Sequence, residues 1–431
     1  MEAKVKEKER LFMKIEDAII GFAIGDALGV PAEFKTREEL RRYPITDMVG
    51  YGTYNIPKGN WSDDTSLTLA TMDSIIQKKK IDTNDIADKF LRWFRNGEYT
   101  SNGKAFDIGR TTMQALAQYE LKLDEAKMCG QNGEWDNGNG SLMRILPIAY
   151  YIYLNNLRSD DTIYQIVKDV SSITHRHEIS ILGCYIYVKF VLELFAGRSK
   201  AEAYKNIQNF DYSRFGKETV DKYSRIINED ISKQQEEDIK STGYIVDTLE
   251  ATFWLFLNSN DYNSTILKSV NLGQDTDTVA ACTGGLLGIY YGVSKIKQDW
   301  IKDLQRYEYI FEMCRKFDQI SEMKNLFDKW KKEQENEKEP CYTPGVVEKH
   351  YFTLDGFINK EKYDIAEKKI LFILKEPHIK EKRKKGQDDN QINWYMNYLE
   401  WIDDRNTKKL EDSSFIRENI ARMSAYIINK K

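Results

Sequence analysis

The chain has 431 residues, 41% hydrophobic and 31% charged, with a formal net charge of −4. That charge is small and of the wrong sign to attract polyanions, so a basic nucleic-acid interface is not indicated. Five scattered cysteines offer neither zinc spacing nor a disulfide frame, and no run of eighteen apolar residues occurs, so the chain reads as a monomer of the reducing cytoplasm with no membrane span.

Residues 1–10 are charged and lack the apolar core of a signal peptide. Ile15, Ala18, Ile19 and Phe22 then recur at i, i+3, i+4 and i+7, the spacing of one apolar helix face. Gly29-Val30-Pro31-Ala32 marks a turn after that helix and is followed by Glu33, which by itself fits a surface turn glutamate. Asp26 reads as structural, bonding backbone in this glycine-rich turn. Residues 47–60 read as a loop. Ser62-Asp63-Asp64-Thr65 sets two adjacent carboxylates between hydroxyls at the start of a helical run. A local N-cap accounts for such a pattern, and so does a hard divalent cation, which takes carboxylate and hydroxyl oxygens.

Ile86, Phe90, Trp93 and Phe94 mark a further helix face, and residues 129–140 a second glycine-containing loop. Gly138-Asn139-Gly140-Ser141 lacks the lysine of a P-loop. Its glycines admit a ligand close to backbone N–H groups, as in a phosphate site at a helix start, or form a tight packed turn. Arg144 suits either a phosphate or an intramolecular carboxylate. Ile179–Leu194 and Val246–Leu257 are apolar nearly all round and read as buried helices. Asp275-Thr276-Asp277-Thr278 repeats the acid–hydroxyl pattern before the small-residue run Val279–Gly288. It reads as a loop entering a helix, not as the strand tip that an aspartate nucleophile would require.

Should the fold bring the two acidic clusters together, at least four carboxylates converge, enough for two cations. Mixed charges over Lys329–Pro340 mark a linker. The expected division is an all-α body over 1–337 and a small α/β extension over 338–431, with Lys368–Pro377 as a strand and Ile392–Ile402 as an amphipathic helix.

Five blocks, in the family's order along the chain, resemble the ADP-ribosylglycohydrolase family: Gly21–Phe34, the first acidic cluster, Phe106–Gly109 taken with the later Thr174-His175, Gly138–Arg144, and the second acidic cluster. The similarity covers roughly residues 10 to 330. It implies a compact orthogonal bundle of many helices, two Mg²⁺ (or Mn²⁺) ions, and hydrolysis of the bond between ADP-ribose and an acceptor on a modified protein or small conjugate. By matching position, the implied metal ligands are Ser62, Asp63, Asp64, Asp275, Asp277 and Thr278. Glu33 joins Asp63 and Asp64 as the implied catalytic set. Asp107, Gly138, Asn139, Gly140, Ser141 and His175 are the implied substrate contacts; for His175 a core-edge or capping role stands as the alternative. Ser62 replaces a threonine common in relatives, and Gln274 a common glycine. A non-catalytic ADP-ribose binder of the same fold is the alternative function, and the intact acids argue against it.

Overall fold

The computed structural model describes residues 14–122 and 124–320. The expected extension, 338–431, lies outside them. Among the described residues there is no sheet, only two isolated bridges, Gln131 to His175 and Gly138 to Tyr244.

The frame rests on two antiparallel helices, Ile15–Gly29 and Thr276–Tyr291. The first was expected to bury one apolar face. It is instead buried on all sides from Ala18 to Gly29. The glycines explain why. A Cβ on Gly25 would lie 2.1 Å from Ala280 O, and one on Gly284 would lie 2.3 Å from Gly21 O. Glycines at i and i+4 leave a side-chain-free stripe, so the two backbones approach to contact. Tyr262 closes the same contact by donating its hydroxyl to Gly21 O at 2.6 Å. Because the helices run antiparallel, the C-terminal end of the first lies beside the N-terminal end of the second. A Cβ on Gly29 would fall 2.4 Å from Asp277 Cα.

A third helix, Asp63–Lys78, starts at the same end. Lys89, fully buried on the neighbouring helix Thr83–Asn96, anchors it through Asp73 at 2.8 Å and Gln77 at 3.0 Å. A buried cation survives only when paired, so this contact fixes how the two helices pack.

Glu178–Phe195 and Ile245–Leu257 are the buried helices expected from sequences that are apolar nearly all round. Phe190 and Phe253 pack with ring centroids 4.6 Å apart, and Tyr187 donates to Cys282 O at 3.1 Å, tying both to the Thr276 helix. Burial of one such phenyl ring contributes about 2 kcal/mol, and truncating it to alanine costs about 3–5 kcal/mol because a cavity remains. The four described cysteines are buried thiols. Among the described residues no helix is long and apolar enough to cross a membrane.

Candidate metal centre

Ser62 is the N-cap of the Asp63 helix, with its hydroxyl accepting from Asp64 N–H at 3.2 Å. Asp275 opens the Thr276 helix without a side-chain cap bond. Two helix N-termini therefore meet, each with carboxylates in its first turn. Thr278 Oγ1 donates to Asp64 Oδ1 at 3.3 Å, which joins the two clusters directly. Ser62, Asp63, Asp64, Asp277 and Thr278 are buried, and Asp275 is half-buried.

Glu33 enters from a third segment, the short turn Val30–Ala32 that ends the first helix. Its backbone is stitched to the Asp275 loop, because Phe34 N–H donates to Gln274 O and Gln274 N–H to Lys35 O. Gln274 sits at φ +65°, which explains the glycine expected there: glutamine is strained in a conformation that glycine takes freely. Asp107, also at positive φ (+61°), enters from a fourth segment and accepts from Tyr54 at 2.6 Å.

The acids form two overlapping groups. Asp26, Asp64 and Asp277 each place an oxygen within 4.8 Å of the others, and Glu33, Asp107 and Asp277 do the same. Asp277 belongs to both. Asp63 and Asp275 lie outside these triads but beside them. Asn139 Nδ2 donates to Asp275 Oδ2 at 2.9 Å, and the Asp63 carboxyl feels the charge of Asp107 and Asp64.

Electrostatics shows what the cluster lacks. Glu33 Oε2, Asp64 Oδ2, Asp275 Oδ1 and Asp277 Oδ2 are buried without a hydrogen-bond partner. Among the described residues no lysine or arginine pairs with any of these four acids. Coulomb's law at an effective permittivity near 20 gives about 3 kcal/mol of repulsion for one carboxylate pair about 5 Å apart. Several such pairs rival the whole stability of a domain, about 5–15 kcal/mol. In the absence of a cation Glu33, Asp64 and Asp277 are therefore driven to hold protons. Burial first, and neighbouring acids second, push Asp63, Asp64, Asp277 and Glu33 well above the usual carboxylate range. The all-oxygen donor set, with hydroxyls at Ser62 and Thr278, fits hard divalent cations.

Asp26 was expected to bond its own turn. Its oxygens instead accept from Ser62 N–H at 2.9 Å, Thr65 N–H at 3.0 Å and Thr65 Oγ1 at 2.6 Å. It caps the Asp63 helix from the outside, so the first helix aims the first acid cluster. Tyr54 carried no sequence signal, because its partner Asp107 lies on a different loop.

The loop 138–141 lies beside the acids. Asn139 N–H donates to Gly243 O and Ile245 N–H to Asn137 O, which pins the loop to the start of the Ile245 helix. Asn139 Nδ2 also donates to Thr248 at 2.9 Å, so this side chain faces inward and steadies Asp275. Ser141 is buried, accepting from Cys184 Sγ at 3.3 Å. His175 is 2% exposed and lies beneath Gly138 and Gly140. Arg144 has no carboxylate partner among the described residues; it is fully buried and donates to Thr174 Oγ1 at 2.7 Å.

Comparison with known proteins agrees with this arrangement. The sequence model of the ADP-ribosylglycohydrolase family matches residues 7–335. An ADP-ribosylarginine hydrolase of Serratia proteamaculans is 34% identical over 305 residues, covering 70% of this chain and 78% of that protein. The ADP-ribosyl-[dinitrogen reductase] glycohydrolase of Rhodospirillum rubrum is 29% identical over 289 residues, covering 67% of this chain and 88% of its own length. A solved ADP-ribosylglycohydrolase-related protein complex superposes with a TM-score of 0.60 at 26% identity, covering 73% of this chain and 99% of that one. The acid cluster, the helical frame and these matches coincide over the same residues, and the chain belongs to the ADP-ribosylglycohydrolase family.

Proposed function

We propose that this chain hydrolyses the N-glycosidic bond between ADP-ribose and an arginine side chain, with two divalent cations, Mg²⁺ or Mn²⁺, held among Ser62, Asp63, Asp64, Asp275, Asp277 and Thr278. The observation that carries this reading is the set of four partnerless carboxylate oxygens, on Glu33, Asp64, Asp275 and Asp277, converging from separate segments. A protein that only bound ADP-ribose would gain nothing from such repulsion. When bound, the cations supply positive charge that orients ribose hydroxyls and acidifies water.

The chain's own groups do the rest. Glu33, with one oxygen unpartnered, accepts the proton of the attacking water as its oxygen bonds to the anomeric carbon. The carbon–nitrogen bond breaks, its electron pair returns to the guanidine nitrogen, and the proton held by Glu33 passes to that nitrogen. Positive charge developing on the ribose ring faces Asp63, Asp64 and Asp107 and is stabilised by them. The 138–141 loop offers backbone N–H groups to the diphosphate, and His175 backs it.

An arginine acceptor agrees with two observations. Glu33 and Asp107 place acidic groups beside the cluster that are suited to a cationic guanidinium. Two relatives that are ADP-ribosylarginine hydrolases, from Serratia proteamaculans and Pseudomonas putida, are 34% and 33% identical to this chain. The test is release of ADP-ribose from arginine-modified and serine-modified proteins, with Mg²⁺ or Mn²⁺ and with chelator. The expected result is cation-dependent release from arginine. Undiminished activity in the Asp64→Asn, Asp275→Asn double variant would end the metal reading.

A further inference from the structure

Beneath the 138–141 loop lies a guanidinium that the reaction above does not use. Arg144 is 0% exposed. Its NH2 donates to Thr174 Oγ1 at 2.7 Å, both terminal nitrogens lie 3.3 Å from Val170 O, and its carbon stacks 4.8 Å from the Phe90 ring centroid. Nε has no hydrogen-bond partner. A buried arginine without a carboxylate is rare, because the desolvation of its charge goes uncompensated. Burial lowers its pKa only to about 10, so it remains a cation at neutral pH.

Thr174 Oγ1 also lies 2.9 Å from His175 Nδ1. Counting hydrogens decides who donates. Arg144 can only donate, so Thr174 Oγ1 accepts from it. The single hydroxyl hydrogen of Thr174 then needs an acceptor, and Thr174 is fully buried. Among the described residues His175 Nδ1 is the acceptor within reach. If Nδ1 carried the hydrogen instead, the threonine hydrogen would be buried without a partner, which is unfavourable. Nδ1 therefore accepts, and the imidazole hydrogen sits on Nε2. Nε2 faces the loop: a Cβ on Gly138 or on Gly140 would lie 3.5 Å from it. Among the described residues Nε2 has no hydrogen-bond partner. The same guanidinium disfavours a second proton on the ring; burial first, and Arg144 second, lower the His175 pKa to about 3.

We propose that Arg144 and Thr174 are positioning residues that lock His175 in one tautomer, with its Nε2–H offered to the anion held at the 138–141 loop. This rests on the reading of that loop as the diphosphate site. The lock makes the ring an obligate donor, whereas a free histidine would present a lone pair to phosphate part of the time and repel it. The unpaired guanidinium adds positive potential from below without touching the ligand.

The test is nitrogen-15 spectroscopy of histidine-labelled full-length protein at neutral pH, with inorganic pyrophosphate as the probe. The His175 signal is assigned by its loss in His175→Gln. The ligand-free wild type should show a neutral ring with hydrogen on Nε2, and pyrophosphate should shift that signal. Thr174→Val, close in shape, should give mixed tautomers and weaken pyrophosphate binding ~tenfold, the loss of one charge-assisted hydrogen bond. Thr174→Ser should restore both. Hydrogen on Nδ1, or an imidazolium, in the wild type overturns the lock whether or not pyrophosphate binds. The correct tautomer with no response to pyrophosphate overturns instead the diphosphate reading and with it the donor's target. The wild-type spectrum needs no variant, so a Thr174→Val protein that failed to fold would leave the test intact.

Discussion

Thr278 Oγ1 and Asp64 Oδ1 lie 3.3 Å apart although 214 positions separate them in the chain. The donor comes from one acid cluster and the acceptor from the other, so neither helix start is merely capped by its own side chains. Asp64→Asn keeps a hydrogen-bonding partner for Thr278 and removes one charge. ADP-ribose release should fall by ~100-fold or more, since electrostatic stabilisation is the larger part of such catalysis. The stabilisation of the protein by Mg²⁺ should disappear, while the chelated protein becomes more stable by about 1–3 kcal/mol, relieved of repulsion. Thermal melting with and without chelator measures both effects. Equal cation-induced shifts in variant and wild type would remove Asp64 from the centre.

The pH dependence of stability follows with a definite sign. Burial, and then mutual repulsion, raise the folded-state pKa of Asp63, Asp64, Asp277 and Glu33, the last to about 9. Groups raised on folding leave stability intact below their unfolded pKa, near 4, and erode it as pH rises through the folded value. The chelated protein should therefore lose stability steadily between about pH 4 and pH 9. Divalent cations replace those protons, so binding should release protons and tighten as pH rises. Calorimetry in buffers of different ionisation enthalpy reads the proton count. Cation binding that is independent of pH would contradict the account.

Glu33 and Asn139 separate chemistry from support. Glu33→Gln removes the proposed base and should lower kcat by about 10²–10⁴-fold while leaving ADP-ribose affinity near wild type. Asn139→Ala frees Asp275 Oδ2 and should weaken cation affinity by about 10–100-fold, the usual cost of losing a group that orients a ligand. Kinetic assays across a cation titration distinguish the two: excess Mn²⁺ should rescue Asn139→Ala and not Glu33→Gln.

Gly25→Ala tests the frame. Its Cβ would fall 2.1 Å from Ala280 O, where backbone meets backbone and neither side can rotate away. The loss should be about 3 kcal/mol or more. Any shift of the Thr276 helix also moves Asp277, so cation affinity should fall with stability in denaturant titrations with and without Mn²⁺. Gly103→Ala, where nothing lies within 4 Å of the added carbon but φ is +84°, should cost only about 1 kcal/mol of backbone strain.

Much of this was readable in the sequence. The two acid–hydroxyl clusters stood out in the sequence, but each alone also fitted a local N-cap, and only the fold brings Thr278 to Asp64. Ile179–Leu194 and Val246–Leu257 announce burial by being apolar nearly all round. Other features depend on partners far along the chain. The first helix showed one apolar face, yet Gly21, Gly25 and Gly29 make the opposite face equally buried, because glycine carries no hydrophobic signal and matters only against Gly284 and Ala280. Asp26 looked like a residue of its own turn until the fold set it under Ser62 and Thr65. Tyr54 and Asp107 meet only in three dimensions. Arg144 looked as ready for a phosphate as for a carboxylate, and the structure gives it a threonine hydroxyl and an aromatic face.

Anomalous diffraction from crystals grown with Mn²⁺ tests the shared centre most directly. The account predicts two manganese peaks enclosed by the carboxylates of Asp64, Asp275 and Asp277, with Ser62 and Thr278 hydroxyls at their edge. Manganese found only at surface acids, with those carboxylates still bare and facing one another, would contradict it.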